Sequence, residues 1–186
     1  MLLKLSKDSE LKLSIFTPLI GSLIYELRAN LKNLFILNFD ERNYLLGENI
    51  QETRQSWLGM DLSLNEIKWL ILGDIPKSIP TWHRENISRN KFKLINGNAT
   101  ILVEFNSSKK IKTMEKYLDG LLEYRANISK YQKFFDQDFP KKISIKDHSE
   151  FNQWLILISE IQFSNEIFKP LSFTPPARMN FIKIEQ

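Results

Sequence analysis

The sequence contains no cysteine among its 186 residues, which excludes a disulfide framework, a thiolate zinc site and a cysteine nucleophile together. Its two histidines, His83 and His148, have no neighbours at metal-ligand spacing, so we expect no metal site. The six glycines are scattered and form neither a phosphate-binding loop nor a G-x-S-x-G elbow. Asp136 and Asp138 precede Pro140, a pattern typical of a turn rather than of a carboxylate pair for catalysis. The sequence therefore predicts a protein that is not an enzyme and has no cofactor.

Long apolar runs are also missing, because none approaches the about 18 residues that a membrane-spanning helix requires. The start, Met1–Ser6, carries a lysine and no small-residue cleavage site, so no secretion signal is predicted there. The net charge of +4 is mild, and the lysine pairs 109–110 and 141–142 are expected at solvated turns and strand ends. No nucleic-acid partner is therefore predicted, although this charge would suit contact with an anionic membrane surface.

What the sequence does have is apolar material. Hydrophobic residues make up 42% of the chain and aromatic residues 12%, with 13 phenylalanines. A chain of this length is expected to bury about 70% of its unfolded surface, so residues 1–186 are predicted to form one domain.

Alternation of apolar and polar residues is the dominant pattern, and it predicts β-strands joined by short polar turns. An antiparallel meander is predicted for the first part of the chain, with strands at Leu2–Leu5, Leu11–Ile15, Ser22–Arg28, Leu34–Phe39 and Tyr44–Glu48. Later strands are predicted at Lys91–Ile95, Ala99–Phe105, Glu123–Phe134 and Lys141–Lys146. Ile111–Leu118 is compatible with strand or helix, and strand is favoured. Met179–Ile184 is expected to close the sheet, whereas Asp136–Pro140 is predicted to be a turn and Trp82–Arg84 is not assigned.

The turn Asn96-Gly97-Asn98 lies between two of these strands. Asn-Gly supplies the positive φ angles of a type I′ turn, which predicts a tight hairpin.

One segment, within Trp57–Gly73, has the pattern of a helix. Ser63 and Glu66 have the spacing of a capping box, and Gly73 followed by Pro76 marks the end of the helix. Its apolar residues occur nearly all round, which indicates a buried helix. The sequence is compatible with a plug or lid inside a curved sheet and equally with an ordinary core helix. The sum is a mainly β (α+β) fold: an incomplete antiparallel β-barrel, or curved sheet, with a helix inserted in the middle of the chain.

The apolar residues of the predicted strands and helix exceed what a thin plug could cover. We therefore predict a cavity for an apolar ligand, with a filled core as the alternative. A second feature is the loop tip of Leu19 and Ile20, bracketed by proline and glycine, which is expected to contact lipid or protein unless a neighbouring loop buries it. The predicted cavity residues are Leu13, Ile15, Leu23, Tyr25, Leu27, Phe35, Leu37, Leu64, Ile67, Ile71, Ile101 and Val103.

Several short motifs resemble the bacterial lipoprotein carrier and receptor family (LolA/LolB-like). They are the proline-to-glycine loop at residues 18–21 between two strands, Trp57-Leu58-Gly59 before the helix, and the helix end Leu70-Ile71-Leu72-Gly73-Asp74. The segment Phe139–Ile145 and the stretch Ile161–Phe168 followed by Pro175-Pro176 are similar to motifs near the end of that family.

The resemblance implies an incomplete antiparallel β-barrel whose cavity holds the acyl chains of lipoproteins. It also implies a location in the periplasm or at the periplasmic face of the outer membrane, with acylated lipoproteins, a periplasmic carrier and the outer-membrane surface as partners. Leu19 would match the protruding leucine with which the receptor delivers its cargo, although Ile20 leaves the assignment between the two. The family's N-terminal signal, first helix and first strand, and the receptor's lipidated cysteine, have no counterpart in this sequence. We therefore expect either that the front of the domain is missing from it or that it is a shortened relative whose open edge needs another cover. An envelope interaction scaffold with a filled core is the alternative function.

Overall fold

The computed structural model describes residues 2–5, 11–16, 22–134, 136–149, 151–158 and 174–182. The described residues are mostly β-strand, with short helices inserted in the middle of the chain, which confirms the mainly β prediction. It divides into two compact units, one formed by Met1–Trp57, Ser63–Asn65 and Ser164–Gln186 and the other by Leu58–Leu62 and Glu66–Phe163. The expectation of one domain over residues 1–186 stays a prediction.

The first unit contains a six-stranded sheet. Its first five strands pair antiparallel in chain order, which confirms the predicted meander. The last strand adds to the sheet in parallel with the fifth, through the pair Phe181 and Tyr44. The strands are β1 (Leu2–Leu5), β2 (Leu11–Phe16), β3 (Leu23–Ala29), β4 (Asn33–Asn38), β5 (Asn43–Glu48) and β13 (Asn180–Phe181).

The register of this sheet corrects the prediction that the apolar residues of β3 and β4 share one face. Leu27 lies directly opposite Ile36, whereas Leu37 lies opposite Glu26. Residues that lie directly opposite each other share a face, and here Ala29 pairs with Leu34 and Leu27 with Ile36. Odd-numbered positions of β3 therefore share a face with even-numbered positions of β4. Phe35 and Leu37 therefore lie on the opposite face from Tyr25 and Leu27, whereas a register shift between Ile15 and Phe16 pairs Leu23 with Phe16.

Two helices follow β5: α1 (Gln51–Leu58) and α2 (Leu64–Leu72). The sequence predicts only the second. Helix α2 begins directly after Ser63 and ends before Gly73, whose φ of +65° is that of a helix-terminating glycine. Its side chains are buried nearly all round, from Leu64 at 6% exposure to Ile71 at 6%, and Leu72 alone among its apolar residues is exposed. The capping box stays a prediction.

The second unit contains a seven-stranded antiparallel sheet in continuous meander order. Its strands are β6 (His83–Ser88), β7 (Lys91–Asn96), β8 (Ala99–Phe105), β9 (Ile111–Leu118), β10 (Leu121–Phe134), β11 (Gln137–Asp147) and β12 (Gln153–Leu157). The strand preference for residues 111–118 is confirmed, and the unassigned Trp82–Arg84 region leads into β6.

Two local predictions in this unit are wrong. Gln137–Pro140 is strand rather than turn, because Phe134 pairs with Gln137 and Tyr131 with Pro140, so that pairing with β10 overrides the local turn preference. The hairpin turn after β7 is shifted by one residue, since Asn96 pairs with Ala99 and the central residues are Gly97 and Asn98. Only Gly97 has a positive φ, of +59°, which is the pattern of a type II′ turn and not of type I′.

The register of the second sheet separates its two faces cleanly. On one face, direct cross-strand neighbours are apolar and fully buried, as for Phe92 with Val103 and Leu94 with Ile101. On the other, charged residues pair across strands, as for Glu115 with Arg125 at 2.7 Å. We call the first the inner face of this sheet.

Candidate functional site

The predicted cavity residues of the first unit divide between two surfaces of its sheet. The register sets the backbone positions of Leu13, Leu27, Ile36 and Leu45 in one row across β2–β5. Such a row spans about 14 Å, since adjacent strands lie about 4.8 Å apart. Within it, Ile36 and Leu45 are half-buried and Leu27 is 9% exposed. We call these four residues the aliphatic row.

The neighbouring positions on the same face are those of Ile15 and Tyr25, which pair with each other. Leu23 is half-buried and pairs with Phe16 beyond a register shift, so the register does not place it on this face. The Tyr25 side chain is 40% exposed, so part of this apolar surface is accessible to solvent. Phe35 and Leu37, on the opposite face, are 0% exposed. No water-sized space therefore adjoins these two side chains in this structure.

The predicted cavity residues of β8 and α2 are also closed to solvent. Ile101 and Val103 are 0% exposed on the inner face of the second sheet, and Ile67 and Ile71 of α2 are 7% and 6% exposed. Helix α2 approaches this sheet closely at Gly73, where a Cβ would lie 2.7 Å from Tyr131 Cε1. The loop of Leu19 and Ile20 lies outside the described residues.

A polar cluster that the sequence analysis does not predict lies inside the second unit. Lys116 of β9 points from the inner face, between Ile101 and Tyr124 on the neighbouring strands. Its Nζ donates to the Asp61 backbone carbonyl at 2.9 Å and lies 3.2 Å from Glu66 Oε1. It also donates to the Asp61 carboxylate at 2.5 Å. We call Asp61, Glu66, Lys116 and Tyr124 the buried charge cluster.

Each member of the buried charge cluster is almost completely removed from water. Asp61 is 3% exposed, Glu66 1%, Lys116 4% and Tyr124 0%. The Tyr124 hydroxyl meets no partner with hydrogen-bond geometry among the described residues, although burial first and then the nearby carboxylates, Glu66 foremost, raise the pKa of Tyr124 well above its usual value.

The buried charge cluster connects segments that are distant in sequence. Asp61 belongs to the connection between α1 and α2, and its backbone N–H donates to Glu123 Oε1 at 2.8 Å. Glu66 lies in the first turn of α2, while Lys116 and Tyr124 belong to adjacent strands. One ammonium group thus joins the connection and the helix to the sheet. Because both carboxylates face a lysine, the arrangement is suited to holding these elements together and offers no activated nucleophile.

A second ionic group lies in the first unit, on the sheet face opposite the aliphatic row. Glu26 is 3% exposed and accepts hydrogen bonds from Ser14 Oγ at 3.3 Å and Arg28 Nε at 2.5 Å, while Lys12 Nζ lies 2.7 Å away. Burial alone would raise the pKa of Glu26, but the hydrogen bonds and charges of Lys12 and Arg28 outweigh it, so that the pKa is lowered.

The alternation of β9 contains the one sequence signal for the buried charge cluster. Lys116 lies two residues after Met114, which is 0% exposed, and therefore occupies a core-facing position of the strand. Its partners could not be found this way, because Asp61 precedes it by 55 residues. Within the described part of the chain, no group of three or more histidine, cysteine, aspartate or glutamate residues has the arrangement of a metal site. No helix in those same residue ranges combines the length and apolar character needed to cross a membrane.

Comparison with solved structures identifies proteins of similar fold. A domain from Vibrio parahaemolyticus, provisionally described as an outer membrane lipoprotein-sorting protein, matches 90% of this chain and 77% of its own, with a TM-score of 0.58 and 9% identity. A LolA superfamily protein from Nitrosomonas europaea matches 78% of this chain and 68% of its own, with a TM-score of 0.48 and 12% identity. No protein-family model and no curated protein sequence matches this chain. The likeness to the Vibrio domain shows that the two chains share a fold.

Proposed function

We propose that this protein is a non-enzymatic carrier or receptor that binds the acyl chains of lipoproteins in the bacterial periplasm or at the periplasmic face of the outer membrane. The observation that carries the proposal is the shared fold with the Vibrio lipoprotein-sorting domain over 90% of the chain. In this proposal its partners are acylated lipoproteins, a periplasmic carrier and the outer-membrane surface.

The aliphatic row is the surface on which we place the acyl chain. It combines large aliphatic residues with side chains that are still partly accessible, as Ile36 and Leu45 are. The other predicted positions, such as Phe35 and Ile101, have no solvent-accessible surface and would have to move before they could touch a ligand. An acyl chain lying along the row would cross β2–β5 at right angles to the strands.

Burial of apolar surface supplies the free energy of binding in this mechanism. Each methylene group removed from water contributes about 0.8 kcal/mol, so even part of one acyl chain could give micromolar affinity after the cost of association. Release then requires a competing apolar surface, which a membrane or a better-matched partner protein provides.

The test is displacement of an environment-sensitive apolar dye by an acylated lipopeptide, with the non-acylated peptide as control. The proposal expects saturable displacement by the acylated form alone. The substitutions Ile36→Asn and Leu45→Asn should each weaken acyl binding about fivefold to tenfold, because a polar group would replace apolar contact. Leu121→Asn changes a leucine that is 76% exposed in the second unit and should leave binding unchanged.

A protein-interaction scaffold of the cell envelope is the second candidate. The sealed inner face of the second sheet, where Ile101, Val103 and Met114 are all 0% exposed, favours it. A folded protein that binds neither the dye nor the lipopeptide would overturn the acyl-chain proposal and support the scaffold. Equal losses for Ile36→Asn and Leu121→Asn would show that acyl binding occurs away from the aliphatic row.

A further inference from the structure

The second unit presents an exposed group of lysines and leucines at one end of its sheet. Strand β12 is the last strand of this sheet in the described part of the chain. Its Leu155 and Leu157 are 52% and 59% exposed. Leu157 lies directly opposite Lys142 of β11, so the two side chains share the outer face.

Two further lysines flank this pair because the β10–β11 hairpin departs from regular alternation. Lys130 has a φ of +65° and lies between the cross-strand pairs Ser129–Lys142 and Tyr131–Pro140, opposite Lys141. Each strand consequently exposes two consecutive residues at this point, 129–130 and 141–142. We call Lys130, Lys141, Lys142, Leu155 and Leu157 the lysine–leucine patch.

Among the described residues, no side chain balances the charge of the three lysines of the patch. None forms an ion pair or hydrogen bond through its side chain within the described residues, and all three are exposed. Two other lysines of this sheet are paired, Lys112 with Glu104 at 2.7 Å and Lys93 with Glu85 at 3.3 Å. The closest carboxylate along the hairpin, that of Asp138, lies opposite Lys133 and beyond the patch.

We propose that the lysine–leucine patch docks the protein on the surface of an anionic phospholipid bilayer. The lysines complement the negative headgroups, and the two leucines reach the boundary between headgroups and acyl chains. A protein partner fits less well, since lysine is depleted at protein interfaces and leucine is under-represented among their hot spots. This docking surface differs from the predicted loop contact of Leu19 and Ile20, and it does not depend on acyl-chain binding.

The experiment is co-sedimentation of the full chain with vesicles made of equal parts phosphatidylglycerol and phosphatidylcholine, compared with pure phosphatidylcholine. The parent protein should bind the anionic vesicles and lose that binding at high salt. The triple variant K130Q/K141Q/K142Q should bind about a hundredfold more weakly, at about fivefold per lysine. Leu155→Asn with Leu157→Asn should weaken binding about tenfold while leaving its salt dependence in place.

The matched control removes the same charge elsewhere. K77Q/K93Q/K112Q changes three lysines outside the patch and should stay within about twofold of the parent. Equal loss of vesicle binding in the two triple variants would show that only net charge matters and would overturn the proposal. Failure of the parent protein to bind anionic vesicles would also overturn it, and is the result expected if the true partner is an acidic protein. Dye displacement by the acylated lipopeptide should be unchanged in the patch variants, so failure of this proposal is distinguishable from failure of the acyl-chain proposal.

Discussion

Replacing Lys116 with methionine should destabilise the protein far more than its single lost charge suggests. Methionine fills a similar volume, but it removes the ammonium group that lies against the carboxylates of Asp61 and Glu66, which are 3% and 1% exposed. Removing one partner of a buried ion pair costs about 3–5 kcal/mol, because the remaining charge loses that partner where little water can replace it. We expect the free energy of unfolding to fall by that amount.

Lys112 of the same strand provides the control. It pairs with Glu104 at 2.7 Å, a distance between the 2.5 Å from Lys116 to Asp61 and the 3.2 Å from Lys116 to Glu66. Its side chain is 57% exposed and that of Glu104 38%, however, so water can solvate either group when the other is removed. Lys112→Met should therefore cost about 0–1 kcal/mol. Burial, and not the distance between charges, is expected to decide the difference.

Urea unfolding followed by circular dichroism and tryptophan fluorescence measures both effects, with the slope of each curve checked for a change in the unfolding reaction. The triple variant Lys116→Met/Asp61→Asn/Glu66→Gln removes the uncompensated charges and should recover at least half of the loss. Equal destabilisation by Lys116→Met and Lys112→Met would refute the reasoning. So would a triple variant less stable than Lys116→Met, because unpaired charge would then not be the cause.

Three further predictions follow from local geometry. Gly73→Ala and Gly97→Ala should each lower the free energy of unfolding by about 1–2 kcal/mol, because both glycines have a positive φ. Thermal unfolding should show the larger loss for Gly73→Ala. Its new Cβ would lie 2.7 Å from Tyr131 Cε1, whereas nothing lies within 4 Å of a Cβ at position 97. Tyr131→Phe should lower the free energy of unfolding by about 1 kcal/mol in urea, since its hydroxyl donates to a backbone carbonyl. Because the pKa of Glu26 is lowered in the folded protein, its contribution to stability is complete above the ordinary pKa of 4.5 and is lost as the pH falls through the lower folded value. Glu26→Gln should therefore be less stable than the parent at neutral pH but should lose less stability on acidification. Parallel curves of unfolding free energy against pH for the two proteins would contradict this.

The strands could be predicted from the sequence because their alternation is a local property. Residues 11–16 and 99–105 alternate or carry β-branched side chains, and each forms a strand close to the predicted bounds. The relation between strands could not be predicted in the same way. Whether Leu27 shares a face with Phe35 or with Ile36 depends on the number of residues in one turn, and a change of one reverses every assignment that follows.

Elements without apolar periodicity could not be predicted from the sequence either. Helix α1 is the sequence Gln-Glu-Thr-Arg-Gln-Ser-Trp-Leu, in which no apolar stripe marks a helix. Strand β6 is exposed at all six positions, so alternation could not reveal it. Both were missed for the same reason, since a pattern-based prediction needs an apolar stripe or an alternation and neither sequence has one.

The buried charge cluster shows how a charged residue can be compatible with an apolar sheet face. Lys116 occupies a position that alternation assigns to the core, between Ile101 and Tyr124, and such a position excludes an unpaired ammonium group. The two carboxylates belong to a connection and a helix that lie 55 and 50 residues earlier in the sequence, which makes the strand, the connection and the helix mutually dependent. If Asp61, Glu66 and Lys116 were all replaced by apolar residues, burial would be preserved. Nothing would then require positions 61 and 66 to lie beside position 116 of the sheet. The buried charge cluster therefore specifies where α2 lies on the sheet of the second unit, and apolar packing supplies the stability that its desolvation costs.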